Sequence, residues 1–75
     1  MLEVYSKNDC PNCEKAKGML DLAGKEYVVI KIDEDEMAYQ FLIKEGHRSV
    51  PQIYKDGEAI KGGLNGLAEY LKGNE

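Results

Sequence analysis

Two cysteines, Cys10 and Cys13, are separated by Pro11-Asn12 where a strand-like run, Leu2 to Ser6, hands over to a helix-compatible run from Glu14 to Ala23. This junction constrains the chain more than any other stretch. Proline suits the first helical position, where a missing N–H costs nothing, so Cys10 is expected at the N-cap. Its sulfur then faces the free N–H groups of Asn12 and Cys13 and the positive end of the helix dipole, which favour thiolate over thiol. Ordinary cysteine titrates near about 8.5, and sites of this kind fall below it. Lys7 adds a nearby cation, and Cys10 is the expected nucleophile. Cys13, Ala16, Leu20 and Ala23 recur at core-facing spacing with Met19 alongside, so Cys13 is expected to point inward. An exposed sulfur with a shielded one behind it is the arrangement of an attacking and a resolving thiol.

The rest of the chain supplies a frame for that junction. Lys7-Asn8-Asp9 reads as a loop, and the first helix as Pro11 to Ala23, closed by Gly24 in a left-handed cap. Gly18, inside that helix at a cost of about 1 kcal/mol against alanine, is expected to mark close packing on the sheet. Tyr27 to Ile32 is β-branched and apolar, a strand expected to be buried on both faces. Strand, helix and strand form a right-handed βαβ unit with parallel strands. Asp33, with Glu36 three residues on, is the expected N-cap of a second helix. That helix runs to Glu45 with Met37, Phe41 and Leu42 inward, and Gly46 ends it. Gln52-Ile53-Tyr54 and Glu58 to Lys61 flank Lys55-Asp56-Gly57, a hairpin signal. After Gly62-Gly63, residues Leu64, Leu67, Ala68 and Leu71 predict a third helix, and Gly73-Asn74-Glu75 should fray. The five tyrosines are expected as half-buried packing residues. The order β-α-β-α-β-β-α predicts a three-layer α/β sandwich over residues 1–75, one domain with a four-stranded mixed sheet.

Charge narrows the function classes. A net charge of −4, with acidic residues gathered at Asp33-Glu34-Asp35-Glu36, argues against nucleic acid as partner, since phosphate contacts need a basic surface. No run approaches the roughly 18 apolar residues that span a bilayer, and Met1-Leu2-Glu3 lacks a signal pattern, so a cytoplasmic protein is expected. In a reducing compartment two cysteines at this spacing are catalytic or metal-binding more often than structural. A zinc pair is the alternative, but zinc wants four ligands and only His47 stands beside the two sulfurs without help from carboxylates or a second chain. His47 is otherwise read as a surface residue.

Three motifs fall in order: Lys7-x-x-Cys10-Pro11-x-Cys13, then Ser49-Val50-Pro51-Gln52-Ile53-Tyr54, then Gly62-Gly63. On these the chain resembles the glutaredoxins, small members of the thioredoxin superfamily, over essentially its whole length. The resemblance implies a thioredoxin-like fold and a thiol–disulfide oxidoreductase, monomeric, with glutathione as co-substrate and no metal. It implies a cis peptide before Pro51, with Ser49 and Val50 placing backbone beside the sulfurs. Val50 would pair with the cysteinyl part of glutathione as one strand does with another. Free N–H groups at Gly63, Leu64 and Asn65 would take the γ-glutamyl carboxylate, and Lys7 and Arg48 would meet the glycyl carboxylate. Three positions depart from the pattern. Asn12 stands where tyrosine is commoner and Asn65 where many members have aspartate near the γ-glutamyl ammonium. Ser49 replaces the commoner threonine. Protein disulfides and glutathione mixed disulfides are the implied substrates. Two alternatives stay open: a hydrogen donor to ribonucleotide reductase recharged by thioredoxin reductase, and a glutathione-ligated iron–sulfur carrier using Cys10.

Overall fold

A computed structural model describes residues 1–73 of the chain. Seven elements follow in the order β1 (Leu2–Ser6), α1 (Pro11–Leu22), β2 (Tyr27–Lys31), α2 (Glu36–Lys44), β3 (Gln52–Lys55), β4 (Glu58–Ile60) and α3 (Gly63–Gly73). The strands lie in the order β2-β1-β3-β4, with β1 parallel to β2 and antiparallel to β3, and β3 antiparallel to β4. Successive side chains of a strand point to opposite faces, and β1 therefore serves two cores. Leu2 and Val4 pack with Ala16 and Leu20 of α1, Ile53 of β3 and Leu67 of α3. Tyr5 on the other face packs with Ala38 and Leu42 of α2 and Tyr54 of β3. The result is the expected three-layer sandwich, with α1 and α3 on one face and α2 on the other.

Local chemistry sets both ends of α1. Cys10 is the N-cap and Pro11 opens the helix. At the far end Gly24, at φ 69°, donates to Asp21, and Lys25 donates to the Leu20 carbonyl at 3.0 Å. That pair of bonds is a Schellman cap. Ala23 is thus the exposed C-cap and not part of the core stripe, which ends at Leu20. A Cβ added at Gly18 would meet nothing within 4 Å, so the expected close packing does not exist and nothing in the structure explains this glycine.

The second helix starts later than expected. Asp35, not Asp33, is the N-cap, its Oδ1 accepting from Ala38 N–H at 3.1 Å. Asp33 is engaged elsewhere, its Oδ2 accepting the Asn8 N–H at 2.9 Å, while Glu34 N–H closes a turn onto Lys31. Met37 therefore falls in the first turn, at 84% exposure, and the inward positions are Ala38 and Leu42 with Phe41 flanking. Asp35→Ala should lower stability by about 1 kcal/mol through loss of the cap, measured as a lower urea midpoint with an unchanged slope; Asp33→Ala should leave the helicity of α2 intact by circular dichroism.

Other expectations shift for topological reasons. β2 pairs only with β1, so it is an edge strand ending at Lys31, with Val28 and Val29 exposed. On α3 the inward set is Leu67 with Leu64, Tyr70 and Leu71, while Ala68 faces solvent. Gly73 belongs to α3, and the expected fraying of Asn74 and Glu75 lies outside the described residues. Asp56 and Gly57, both at positive φ, turn β3 into β4 through a two-residue loop of the kind that matches strand twist.

The tyrosines are not uniform. Tyr5 and Tyr54 are buried and Tyr39 is exposed. Tyr5, Phe41 and Tyr54 form a mutual ring cluster with centroids 5.3–5.5 Å apart. Burial pushes the Tyr54 hydroxyl above its ordinary value, with Glu45 and Tyr5 adding to it; burial, then the charges of Glu3 and Asp35, do the same for Tyr5. Phenols harder to ionise in the folded chain contribute stability that is complete below about pH 10 and is lost as pH rises beyond it. The melting temperature should therefore hold between pH 8 and 9.5 and fall above pH 10, and Tyr54→Phe should blunt that fall.

Candidate active site

The first turn of α1 carries the reactive pair. Cys10 and Cys13 are joined as a disulfide with Cα atoms 5.2 Å apart. The Cys10 sulfur accepts the Cys13 N–H at 3.2 Å, the bond that N-capping requires. Cys10 is half-buried at the tip, whereas Cys13 is wholly enclosed at 0% exposure among the core residues of α1. One sulfur is open to attack and the other is reachable only through it.

The loop before the pair is tied down from the opposite side of the sheet's end. Beyond the bond from its N–H to Asp33, Asn8 donates from Nδ2 to Glu34 at 3.1 Å and accepts from Lys31 Nζ at 3.1 Å. The acidic run before α2 thus clasps the redox loop. Nothing in the sequence pattern pointed to Asn8.

Facing the sulfurs is the segment that leads into β3. The Val50–Pro51 peptide is cis, and the Val50 carbonyl lies 4.0 Å from the Cys10 sulfur. Gln52 donates to the Ser49 carbonyl at 2.8 Å, bracing the turn from within. His47 is not a plain surface residue: it is half-buried, with Nε2 2.7 Å from Tyr54 Oη. Its N–H also completes a Schellman cap on α2 by bonding the Leu42 carbonyl. His47 and Val50 line two cavities, one on each side of this segment.

The first cavity, about 560 Å³, joins Asn12, Ser49, Val50 and Pro51 to Gly63 and Leu64 at the start of α3. Gly62 and Gly63 both hold positive φ there, and Gly66 N–H bonds back to the Gly62 carbonyl. A Cβ on Gly66 would collide with the Lys61 carbonyl, so the approach of β4 to α3 requires glycine at this position as well. The second cavity, about 470 Å³, lies on the α2 side and is lined by Lys7, Arg48, Ser49 and Val50 together with residues of α2. The expected cradle residues are therefore distributed over two grooves that share His47, Ser49 and Val50; Asn65 lines neither, standing exposed one position beyond Leu64, and the two cysteines line neither as well. Among the described residues no group of three or more His, Cys, Asp and Glu side chains is gathered to hold a metal ion.

A family model described as glutaredoxin matches residues 2–60. The chain belongs to the glutaredoxin family. Its relatives include a probable glutaredoxin of Synechocystis, 38% identical over 63 residues, which cover 81% of this chain and 58% of that one. A glutaredoxin-like protein NrdH of Lactococcus lactis is 37% identical over 62 residues, covering 83% of this chain and 86% of that one. Among solved structures, a buckwheat glutaredoxin–glutathione complex superposes with a TM-score of 0.78 at 30% identity, over 97% of this chain and 69% of that chain. The disulfide between Cys10 and Cys13 is the redox-active pair of this family of thiol–disulfide oxidoreductases. The departures at Asn12 and Asn65 now have a place. Asn12 lines the α3-side groove of this glutaredoxin as a polar amide, and Asn65 brings no charge to the helix start.

Proposed function

We propose that this chain is a glutathione-dependent reductase of protein disulfides and glutathione mixed disulfides, acting in the cytoplasm. The observation that carries this reading is the pairing of a half-open N-cap Cys10 with a fully enclosed Cys13. Cys10 thiolate attacks one sulfur of the substrate; that S–S bond breaks, and the leaving thiolate takes a proton. Cys13 then attacks the Cys10 sulfur, releases the second substrate thiol and leaves the Cys10–Cys13 disulfide. One glutathione attacks Cys10 and frees Cys13; a second displaces the first as glutathione disulfide. The cradle would use Val50 for the cysteinyl backbone, the N–H groups of Gly63, Leu64 and Asn65 for the γ-glutamyl carboxylate, and Lys7 and Arg48 for the glycyl carboxylate. The glutathione bound by the buckwheat relative supports this ligand.

A second reading, a hydrogen donor to ribonucleotide reductase recharged by thioredoxin reductase, is supported by Asn12 and Asn65 and by the similarity to the Lactococcus protein. Turnover of a small mixed disulfide, coupled in parallel to glutathione with its reductase and to thioredoxin reductase, tests the choice. Faster recycling with glutathione is expected; recycling by thioredoxin reductase alone would overturn it.

A further inference from the structure

Lys7, Asn8 and Asp9, the loop between β1 and Cys10, are all exposed, so burial does not hold them. Asp9 nonetheless has a φ of 55°, in the left-handed region that an L side chain occupies at a cost and keeps only where its surroundings enforce it. Cys10 comes next, and it needs an extended backbone, φ −124° and ψ 94°, for its sulfur to receive the Cys13 N–H at 3.2 Å. Ser6 Oγ donates to the Lys7 carbonyl at 3.3 Å, a local bond. Among the described residues, every other hydrogen bond of this loop is made by Asn8. Its N–H reaches Asp33 Oδ2 at 2.9 Å, its amide nitrogen reaches Glu34 Oε2 at 3.1 Å, and its amide oxygen receives Lys31 Nζ at 3.1 Å. A carboxylate only accepts and an ammonium only donates, so these two partners admit a single orientation of the amide. Lys31 and Glu34 are themselves joined, the Glu34 N–H donating to the Lys31 carbonyl at 3.1 Å. The socket for Asn8 is therefore built into the turn between β2 and α2.

We propose that Asn8 is a positioning residue for the nucleophile: by locking the loop to this turn it holds Asp9 left-handed, keeps Cys10 at the N-cap and so sets the reactivity of the Cys10 thiolate. This rests on Cys10 being the attacking sulfur. In the oxidised protein the bond to Cys13 also holds Cys10 in place. Reduction removes that tether, and the socket then fixes the chain before the helix. Without the Asn8 amide, Asp9 relaxes to negative φ and the Cys10 sulfur drifts from the Cys13 N–H. The thiolate loses the donor that favours it over the thiol. The charged groups around the loop are Lys7 and Asp9 within it, Lys31 at the end of β2, Asp33, Glu34 and Glu36 before α2, and Arg48 beside Ser49. Bonding by Asn8 must be separated from the field of these charges.

The test exchanges donor and acceptor within one bond. Asn8→Asp alone sets two carboxylates against each other. Asn8→Asp combined with Glu34→Gln again faces an amide donor with a carboxylate, keeps an acceptor for Lys31 Nζ and leaves the net charge unchanged. The negative charge moves only across the 3.1 Å bond. All proteins carry Cys13→Ser, so that one thiol reacts, and are followed as the Cys10 thiolate displaces iodide from iodoacetamide. At about pH 6, Asn8→Ala and Asn8→Asp should each react about fivefold more slowly than the parent, and the Asn8→Asp, Glu34→Gln pair should return to within about twofold of it. Asp35→Ala, which removes the α2 cap and lowers stability without touching the loop, should also stay within about twofold. Asn8→Ala reacting at the parent rate, a pair no faster than Asn8→Asp alone, or an equal slowing in Asp35→Ala would each overturn the proposal. If Asn8→Ala does not fold, the comparison between Asn8→Asp alone and the pair decides. A folded parent no faster than the same protein in urea would instead overturn the choice of nucleophile, and this proposal with it.

Discussion

Replacing Cys13 by serine should split the two activities, leaving reduction of glutathione mixed disulfides within about threefold of the parent while reduction of protein disulfides falls by about 100-fold or more. Cys10→Ser should reduce both to background, because a serine oxygen cannot enter a mixed disulfide. The asymmetry follows from position. Cys10 caps the start of α1 and is half-exposed, with the Cys13 N–H directed at its sulfur, while Cys13 has no exposed surface. A mixed disulfide on Cys10 with glutathione can be released by a second glutathione from solution. One formed with a bulky protein is released fastest from beneath, by the thiol held in place three residues on. The two variants should be assayed with a small glutathione mixed disulfide and with a disulfide-bonded protein. An equal fall of both activities in Cys13→Ser would contradict the assignment of roles.

The second large effect is on the fold. Leu20→Ala should destabilise the protein by about 3 kcal/mol, within the 2–5 kcal/mol typical of a fully buried leucine truncation. Leu20 has 0% exposure and sits where α1, β1 and α3 meet, so the cavity cannot fill by moving one side chain. It also supplies the carbonyl that Lys25 N–H caps. A domain of this length has roughly 4–11 kcal/mol in total, so the variant loses a large share. The melting temperature should fall by roughly 12–24 °C, read by circular dichroism, whereas Leu22→Ala, at 93% exposure, should stay within about 0.5 kcal/mol of the parent.

Features carried by neighbouring residues were legible from the sequence. The strand–Cys-Pro-x-Cys–helix junction, the glycine caps after α1 and α2, and the hairpin at Asp56-Gly57 each depend on only a few adjacent positions. Features set by distant partners were not. Asp33 and Asp35 are equally good N-caps in isolation, and only the Asn8 N–H, 25 residues away, decides between them. Tyr27 to Ile32 reads as a doubly buried strand because its residues are apolar on both faces; its place at the sheet edge comes from strand order, which a single strand does not encode. Within the site, Cys10, Cys13, Val50 and Gly63 follow from motif and helix-end chemistry. The clasp at Asn8 and the His47–Tyr54 contact do not, because each joins polar atoms from segments whose approach is a product of the fold. The same holds for the two grooves: Lys7 and Arg48 group with α2, Asn12 with α3, and the segment from His47 to Val50 divides them.

The direct measurement is the alkylation rate of Cys10 in the fully reduced protein, followed from pH 4 to 10 against the same protein unfolded in urea. At pH 6 the folded form should react at least about tenfold faster, with its midpoint well below the roughly 8.5 of an ordinary cysteine. Coincident folded and unfolded profiles would mean that the helix start does not stabilise the thiolate, and the nucleophile assigned here would lose its physical basis.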